Sequence, residues 1–273
     1  MIFMEVKEAD VYAIDGSVAG KMTLPGTFSK EFRKDIVLRA ILSEQSAIYQ
    51  PQGHSVMAGF NTTAIYVGKY SGYRRGRHMG IAIRPRQKLG GGAMGDVRRI
   101  PSSVKGHRAH PHKIEKRITE QMNRREYILA IESAIGASTN TEAISQKHVI
   151  EKRGTPFIVE DKIEQVNKTK DLIKILGALG ISKDMERSHK PHLRKGAARK
   201  SSKRHFRNSV LIVAKNAHNI TKAGRNIAGV DVCSINSLTV SKLSPGALPR
   251  LMLWSKSAVE GVEQELKKQE VSK

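Results

Sequence analysis

Cysteine is nearly absent: Cys233 stands alone in 273 residues. A lone cysteine excludes an internal disulfide framework and a thiolate zinc knot, and it fits a reducing cytoplasm. Aromatic residues are also scarce, at 5% with one tryptophan. No run approaches the roughly 18 apolar residues of a membrane-spanning helix. The opening MIFMEVKEAD lacks the apolar stretch of a secretory leader and carries an early acid. The most informative lack is local. Residues 50–113 hold 12 Lys and Arg but one acid, Asp96, and residues 187–207 hold nine Lys and Arg and no acid at all. The chain carries +23, and these two stretches account for +20 of it. What is left is a near-neutral body of ordinary single-domain size with two strongly cationic inserts. A polyanion touching both inserts explains that split most simply.

Outside the inserts the pattern is that of a packed α/β protein. Val11–Ile14 and Val18–Leu24 flank Asp15-Gly16, a dipeptide suited to a tight hairpin turn. Ser29 is placed to cap a helix running to about Tyr49, with Phe32, Ile36, Val37, Ala40, Ile41, Ala47 and Ile48 at helical spacing. Regular structure is expected again from about Ile114, as a helix with Ile118, Met122, Ile128, Ile131 and Ile135 on one side, and a shorter helix from Thr141. Then strands and helices alternate: Phe157–Val159, a helix over Thr169–Leu179 with Leu172, Ile173, Leu176 and Leu179 inward and Gly180 ending it, a turn from Ser182, and the apolar run Ser209–Ala214. A short helix over Ile220–Ile227, strands at Gly229–Cys233 and Leu251–Trp254, and a last helix bearing Ala258, Val259, Val262 and Leu266 complete it. The alternation predicts a mainly parallel sheet flanked by helices. One domain is expected over residues 1–273, with 50–113 as an extended arm inserted near the N-terminal third and 187–207 as a second basic loop.

Residues 50–113 follow no period of 2 or 3.6, and 11 glycines and four prolines fall among them. Ala64–Val67 and Gly80–Ile83 are short candidate strands. So long an irregular connection is uncommon in a compact domain unless it is functional or disordered. In Lys69-Tyr-Ser-Gly-Tyr-Arg-Arg-Gly-Arg77, arginines alternate with glycine and tyrosine. Guanidinium groups grip phosphate with two hydrogen bonds and stack on bases, and tyrosine rings offer further stacking faces. The cations and stacking groups of this arm are Lys69, Tyr73, Arg74, Arg75, Arg77, Arg84, Arg86, Lys88, Arg98, Arg99, Lys105, His107, Arg108, His110 and Lys113; those of the second run are Arg194, Lys195, Arg199, Lys200, Lys203, Arg204 and Arg207. Neither stretch has the bulky apolar face by which basic helices bind membranes. Irregular, glycine-rich and basic chain favours folded RNA over duplex DNA, because RNA offers crevices that an extended peptide fills.

Catalytic and metal signatures are weak. Gly90-Gly-Gly-Ala-Met-Gly95 satisfies G-x-G-x-x-G, but neither Arg84–Lys88 before it nor Asp96–Pro101 after it supplies the strand and helix that a dinucleotide turn needs. The trio His107, His110 and His112 has no nearby cysteine or carboxylate, and Arg108 and Lys113 repel a cation. Cys233 reads as a core residue, and Glu160 and Asp161 after a strand read as surface or helix-start groups. No cofactor is expected and no catalytic residue is assigned.

Several short pieces, in order along the chain, carry a resemblance: Gly76-Arg77 through Arg84-Pro-Arg86, Gly106-His-Arg-Ala-His-Pro-His-Lys113, Val159-Glu-Asp-Lys162, Ala223-Gly-Arg-Asn-Ile-Ala-Gly-Val230, Leu243-Ser-Pro-Gly246 and Leu253-Trp-Ser-Lys-Ser-Ala258. Together they resemble the universal large-subunit ribosomal protein L-four family in its archaeal/eukaryotic form. The resemblance implies a non-catalytic, cytoplasmic component of the ribosome whose α/β body packs on large-subunit rRNA beside neighbouring ribosomal proteins. It also implies that residues 50–113 are an arm penetrating the rRNA, with a tip within about Tyr70–Arg99 that helps line the exit tunnel near the nascent peptide. Residues 187–207 become a second rRNA-binding loop. The rival from another class is an α/β RNA-modifying enzyme with basic docking loops, which needs a cofactor pocket.

Overall fold

A computed structural model describes residues 8–66, 80–150, 154–191 and 206–271. In chain order its strands are β1 (Glu8–Tyr12), β2 (Val18–Thr23), β3 (Arg86–Lys88), β4 (Met94–Val97), β5 (Phe157–Val159), β6 (Leu211–Ala214), β7 (Asp231–Ser234) and β8 (Met252–Ser255). Its helices are α1 (Lys34–Ile48), α2 (Arg124–Ala137), α3 (Thr141–Ser145), α4 (Thr169–Ala178), α5 (Ser182–His189), α6 (His218–Gly224), α7 (Val240–Leu243) and α8 (Lys256–Val271). The described residues divide into two compact units. One takes in the chain up to Ala47 and from Glu120 onward, the other Ile48–Thr119.

The first unit is built on a six-stranded sheet in the order β2-β1-β5-β8-β6-β7. Only β1–β2 is antiparallel; every other pairing is parallel. Asp15-Gly16 makes the expected turn, with Gly16 at φ 78°, a left-handed conformation that favours glycine. Strand residues point alternately to the two faces, and here both faces are covered. The register aligns Val11, Ile158, Trp254, Val213 and Cys233 in one row across the sheet. That row is buried under apolar side chains of α1, α2, α7 and α8. One residue along, Ile212, Leu253 and Phe157 face α3, α4 and α6. This double burial is why β6 reads as an unbroken apolar run. Phe28 meets Trp254 edge-on with ring centroids 5.3 Å apart, a favourable aromatic geometry.

Some local expectations shift. Ser29 does not cap the first helix: it ends a 3-10 turn over Gly26–Ser29, and α1 starts only at Lys34, past Phe32. On α4 the buried set is Leu172, Ile175 and Leu176, followed by Leu179, while Ile173 is exposed. The i, i+3, i+4, i+7 stripe starting at Leu172 passes through position 175, and Ile173 sits about 100° around the helix from it. The helix expected from about Ile114 begins only at Arg124.

The second unit holds little regular structure. Its strands β3 and β4 pair antiparallel as a two-stranded hairpin. Of the candidate strands, Ile65 makes a single bridge to Arg86, and residues 80–83 form none. Ala64 is buried, and the Phe60 ring packs on His107 with centroids 4.5 Å apart.

Candidate nucleic-acid interface

The glycine fingerprint proves to be the turn of the β3–β4 hairpin. Gly90–Gly92 make a short 3-10 turn, with Gly91 and Gly92 at φ 69° and 77°. Strand leads into strand there, so the helix start that a dinucleotide turn needs does not follow the glycines. Among the described residues no group of three or more His, Cys, Asp and Glu is arranged to hold a metal ion.

Cations of the second unit fall into two sets. Arg86, on β3, donates from Nη2 to Ala82 O at 3.3 Å, and its backbone exchanges both hydrogen bonds with Ile65. Arg98 pairs with Asp96 at 3.2 Å and donates to the Val104 carbonyl. Arg99 reaches Ala64 O at 3.3 Å and lies 5.9 Å above the Phe60 ring, within cation–π range. Arg84 donates to Ser102 Oγ at 3.1 Å. These four arginines, together with the His107–Phe60 stack, tie the irregular segment to itself. Lys88, Lys105, Arg108, His110 and Lys113 are exposed and have no ion pair among the described residues. Lys116 and Arg117, exposed in the same unit, extend this set beyond the expected boundary at 113. Lys69, Tyr73, Arg74, Arg75, Arg77, Arg194, Lys195, Arg199, Lys200, Lys203 and Arg204 lie outside the described residues.

The base of the second basic run is held by a buried polar cluster that sequence reasoning missed. Asp184 on α5 is fully buried. It accepts from Arg187 Nε at 2.8 Å, Val149 N at 3.0 Å and Ser209 Oγ at 2.6 Å, and its Oδ2 lies 3.1 Å from His148 Nδ1. Burial by itself would raise the Asp184 pKa, but the hydrogen bonds from His148, Arg187 and Ser209 outweigh it and hold the carboxyl well below the usual range. His148 is shifted down, chiefly by burial and against the pull of Asp184. A neutral ring protonated on Nδ1 is the tautomer that donates to the carboxylate. Arg187 also donates from Nη2 to Asn208 O at 2.8 Å, so one arginine grips both the start and the end of residues 188–207. It is therefore engaged in the fold, whereas Arg207 is exposed. Beside it, buried Arg250 donates to Ser209 O at 2.6 Å, to Gly229 O at 2.9 Å and to the Asp231 carboxylate. The Asp184/Arg187 spacing of three on a helix was the available signal; Arg250, after an irregular turn, gave none.

The remaining chemical candidates are structural. Asp161 accepts from Ser257 N at 2.8 Å at the start of α8, and Glu164 accepts from Lys215 N at 2.8 Å and Ser255 Oγ at 2.7 Å. Cys233 is buried, and burial pushes its thiol up to about 11, the opposite of an activated nucleophile.

Comparison with known proteins supplies the class. The model of the Ribosomal protein L4/L1 family matches residues 22–265. "Large ribosomal subunit protein uL4" of Methanococcus vannielii is 36% identical over 259 residues, covering 93% of this chain and 98% of that one. Its namesake in Methanocaldococcus jannaschii is 35% identical, covering 94% and 98%, and that of Archaeoglobus fulgidus 36% identical, covering 93% and 97%. A family match over most of the chain and relatives of nearly equal length, on an α/β body with two acid-poor cationic stretches, place this chain in the Ribosomal protein L4/L1 family.

Proposed function

We propose that this protein binds large-subunit rRNA through its two cationic stretches, with residues 50–113 as an arm that reaches into the rRNA and helps line the nascent-peptide tunnel. As a member of the family it is a structural, non-catalytic protein of the large ribosomal subunit, located with the ribosome in the cytoplasm. The carrying observation is the charge split: +20 of +23 falls in residues 50–113 and 187–207. Phosphate neutralisation by that many cations releases condensed counterions and gives steep salt dependence. Within the arm, Lys88, Lys105, Arg108, His110 and Lys113 are exposed for phosphate and base contacts, while Arg84, Arg86, Arg98 and Arg99 give its backbone a shape that RNA can read. Lys69, Tyr73, Arg74, Arg75 and Arg77 supply the approach to the tip, with the nascent peptide as its neighbour. Arg194, Lys195, Arg199, Lys200, Lys203, Arg204 and Arg207 form the second contact, on a loop whose ends the Asp184 cluster clasps. Neighbouring large-subunit proteins complete the surroundings of the body.

The test is co-sedimentation. The chain is expected to travel with the large subunit after a high-salt wash and to cross-link to rRNA from Lys88 and Arg108. Recovery in the free-protein fraction, or cross-links confined to other proteins, would overturn the proposal.

A further inference from the structure

One region of this cationic chain is acidic, and it coincides with an open sheet edge. Strand β2 ends the sheet order, so among the described residues one side of its backbone has no strand partner. Val18, Ala19, Gly20, Lys21 and Thr23 are exposed, and a Cβ built on Gly20 would meet nothing within 4 Å. Beside β2 runs a groove of ≈ 820 Å³ lined in part by Val11, Gly20, Met22 and Leu24. It is also lined by Lys256, Glu260 and Glu263 of α8, at i, i+4, i+7, and by Glu160. On the opposite face of the same hairpin a smaller cleft is lined by Glu8, Asp10 and Lys21. The two clefts together are lined by five carboxylates, against Lys21, Lys256 and the Lys162 that pairs with Glu160. Glu260 and Glu263 have no ion pair among the described residues, and Glu160 is paired only with exposed Lys162.

We infer that β2 is a docking edge for an extended, lysine- and arginine-rich segment of a neighbouring protein, added to the sheet as a further strand. Three features select that occupant. Unpaired strand N–H and C=O groups are matched by another polypeptide backbone, the basis of β-strand addition. Natural proteins blunt or cover exposed edges; the bulge in β1–β2 lies at the Val11/Tyr12 end and leaves Gly20–Thr23 in regular register. Ala19 and Gly20 let a second backbone approach closely. Charge decides between polymers: the carboxylates repel phosphate and attract a cationic peptide. The inference does not rest on the arm or on any rRNA contact proposed above.

Two measurements on the full chain test it. Hydrogen exchange of the Ala19–Thr23 amides is compared between the free protein and the protein within large subunits. At least tenfold slowing in the subunit is expected; unchanged exchange would show an open edge and overturn the inference. A photo-reactive side chain in place of exposed Lys21 is then activated in assembled subunits. An adduct with a Lys/Arg-rich protein segment is expected, falling at least fivefold with E260K/E263K while incorporation into subunits persists. An adduct with rRNA, with a neutral or acidic protein segment, or with nothing refutes it. Because incorporation is scored separately, loss of rRNA binding is distinguishable from loss of this edge contact.

Discussion

At the scale of single residues, the sharpest chemistry in this protein is structural. Asp184 is an ionised group in a fully buried site, tolerable because three donors and a histidine surround it. Removing one member of such a cluster strands the others. Asp184→Ala is therefore expected to cost about 3–5 kcal/mol, read as a lower urea midpoint, whereas Asp35→Ala, which loses an exposed pair with Arg33 and contacts to the first turn of α1, should lower the midpoint far less. His148 adds a pH dependence of known sign. It faces Asp184, Arg187 and Lys147, and burial holds its pKa below the ordinary value. In the unfolded chain a histidine titrates near roughly 6.5, so between that value and the depressed folded one the unfolded state binds more protons. Stability from this site is thus full above the unfolded pKa and is lost as pH falls through the window. Urea midpoints measured from pH 7.5 down to 5 should decline more steeply for the natural chain than for His148→Gln. Equal slopes would show that His148 is not buried in its neutral form.

At the scale of elements, what was legible in the sequence was set by local pattern. The β1–β2 hairpin followed from Asp15-Gly16, β6 from its unbroken apolar run, and α8 from Ala258, Val259, Val262 and Leu266. Errors arose where local pattern does not decide. Ile173 is apolar enough for the core, but the stripe that the sheet covers runs through Ile175 instead. The start of α2 was read too early because Ile118 and Met122 mimic its spacing. In the basic segment the cations were legible as charge. Their division into those that bind their own chain and those left free was not, because Arg99 over Phe60 and Arg98 on the Val104 carbonyl depend on contacts set by folding. The hairpin turn shows the same limit: G-x-G-x-x-G was visible, but only the flanking strands reveal its role. Gly91 and Gly92 both adopt left-handed φ, which costs a residue with a Cβ about 1–2 kcal/mol. G91A/G92A should therefore speed hydrogen exchange of the β3 and β4 amides by tenfold or more, while the melting temperature of the sheet body stays unchanged. An unaltered hairpin would show that the glycines serve a contact rather than the turn.

At the scale of the whole molecule, charge and packing are separated along the chain. The sheet body carries nearly equal numbers of acids and bases; Asp161 and Glu44 accept at the starts of α8 and α7, and Asp184 anchors the clasp. The cationic excess lies in stretches where self-repulsion discourages a compact state unless a polyanion is present. That separation makes a quantitative claim. Each phosphate contact contributes roughly 0.7–0.9 to the slope of log affinity against log salt. Replacing Arg194, Lys195, Arg199, Lys200, Lys203 and Arg204 with glutamine should lower the rRNA-binding slope by about 4–5 if all six bind phosphate, and should leave the urea midpoint of the body intact because the clasp at Asp184, Arg187 and Ser209 is untouched. Had the run served as a spacer, affinity would barely change. Had it been part of the core, stability would fall first. Salt titration of binding beside urea titration of folding therefore assigns the 187–207 charge to rRNA or to the fold by whichever curve moves.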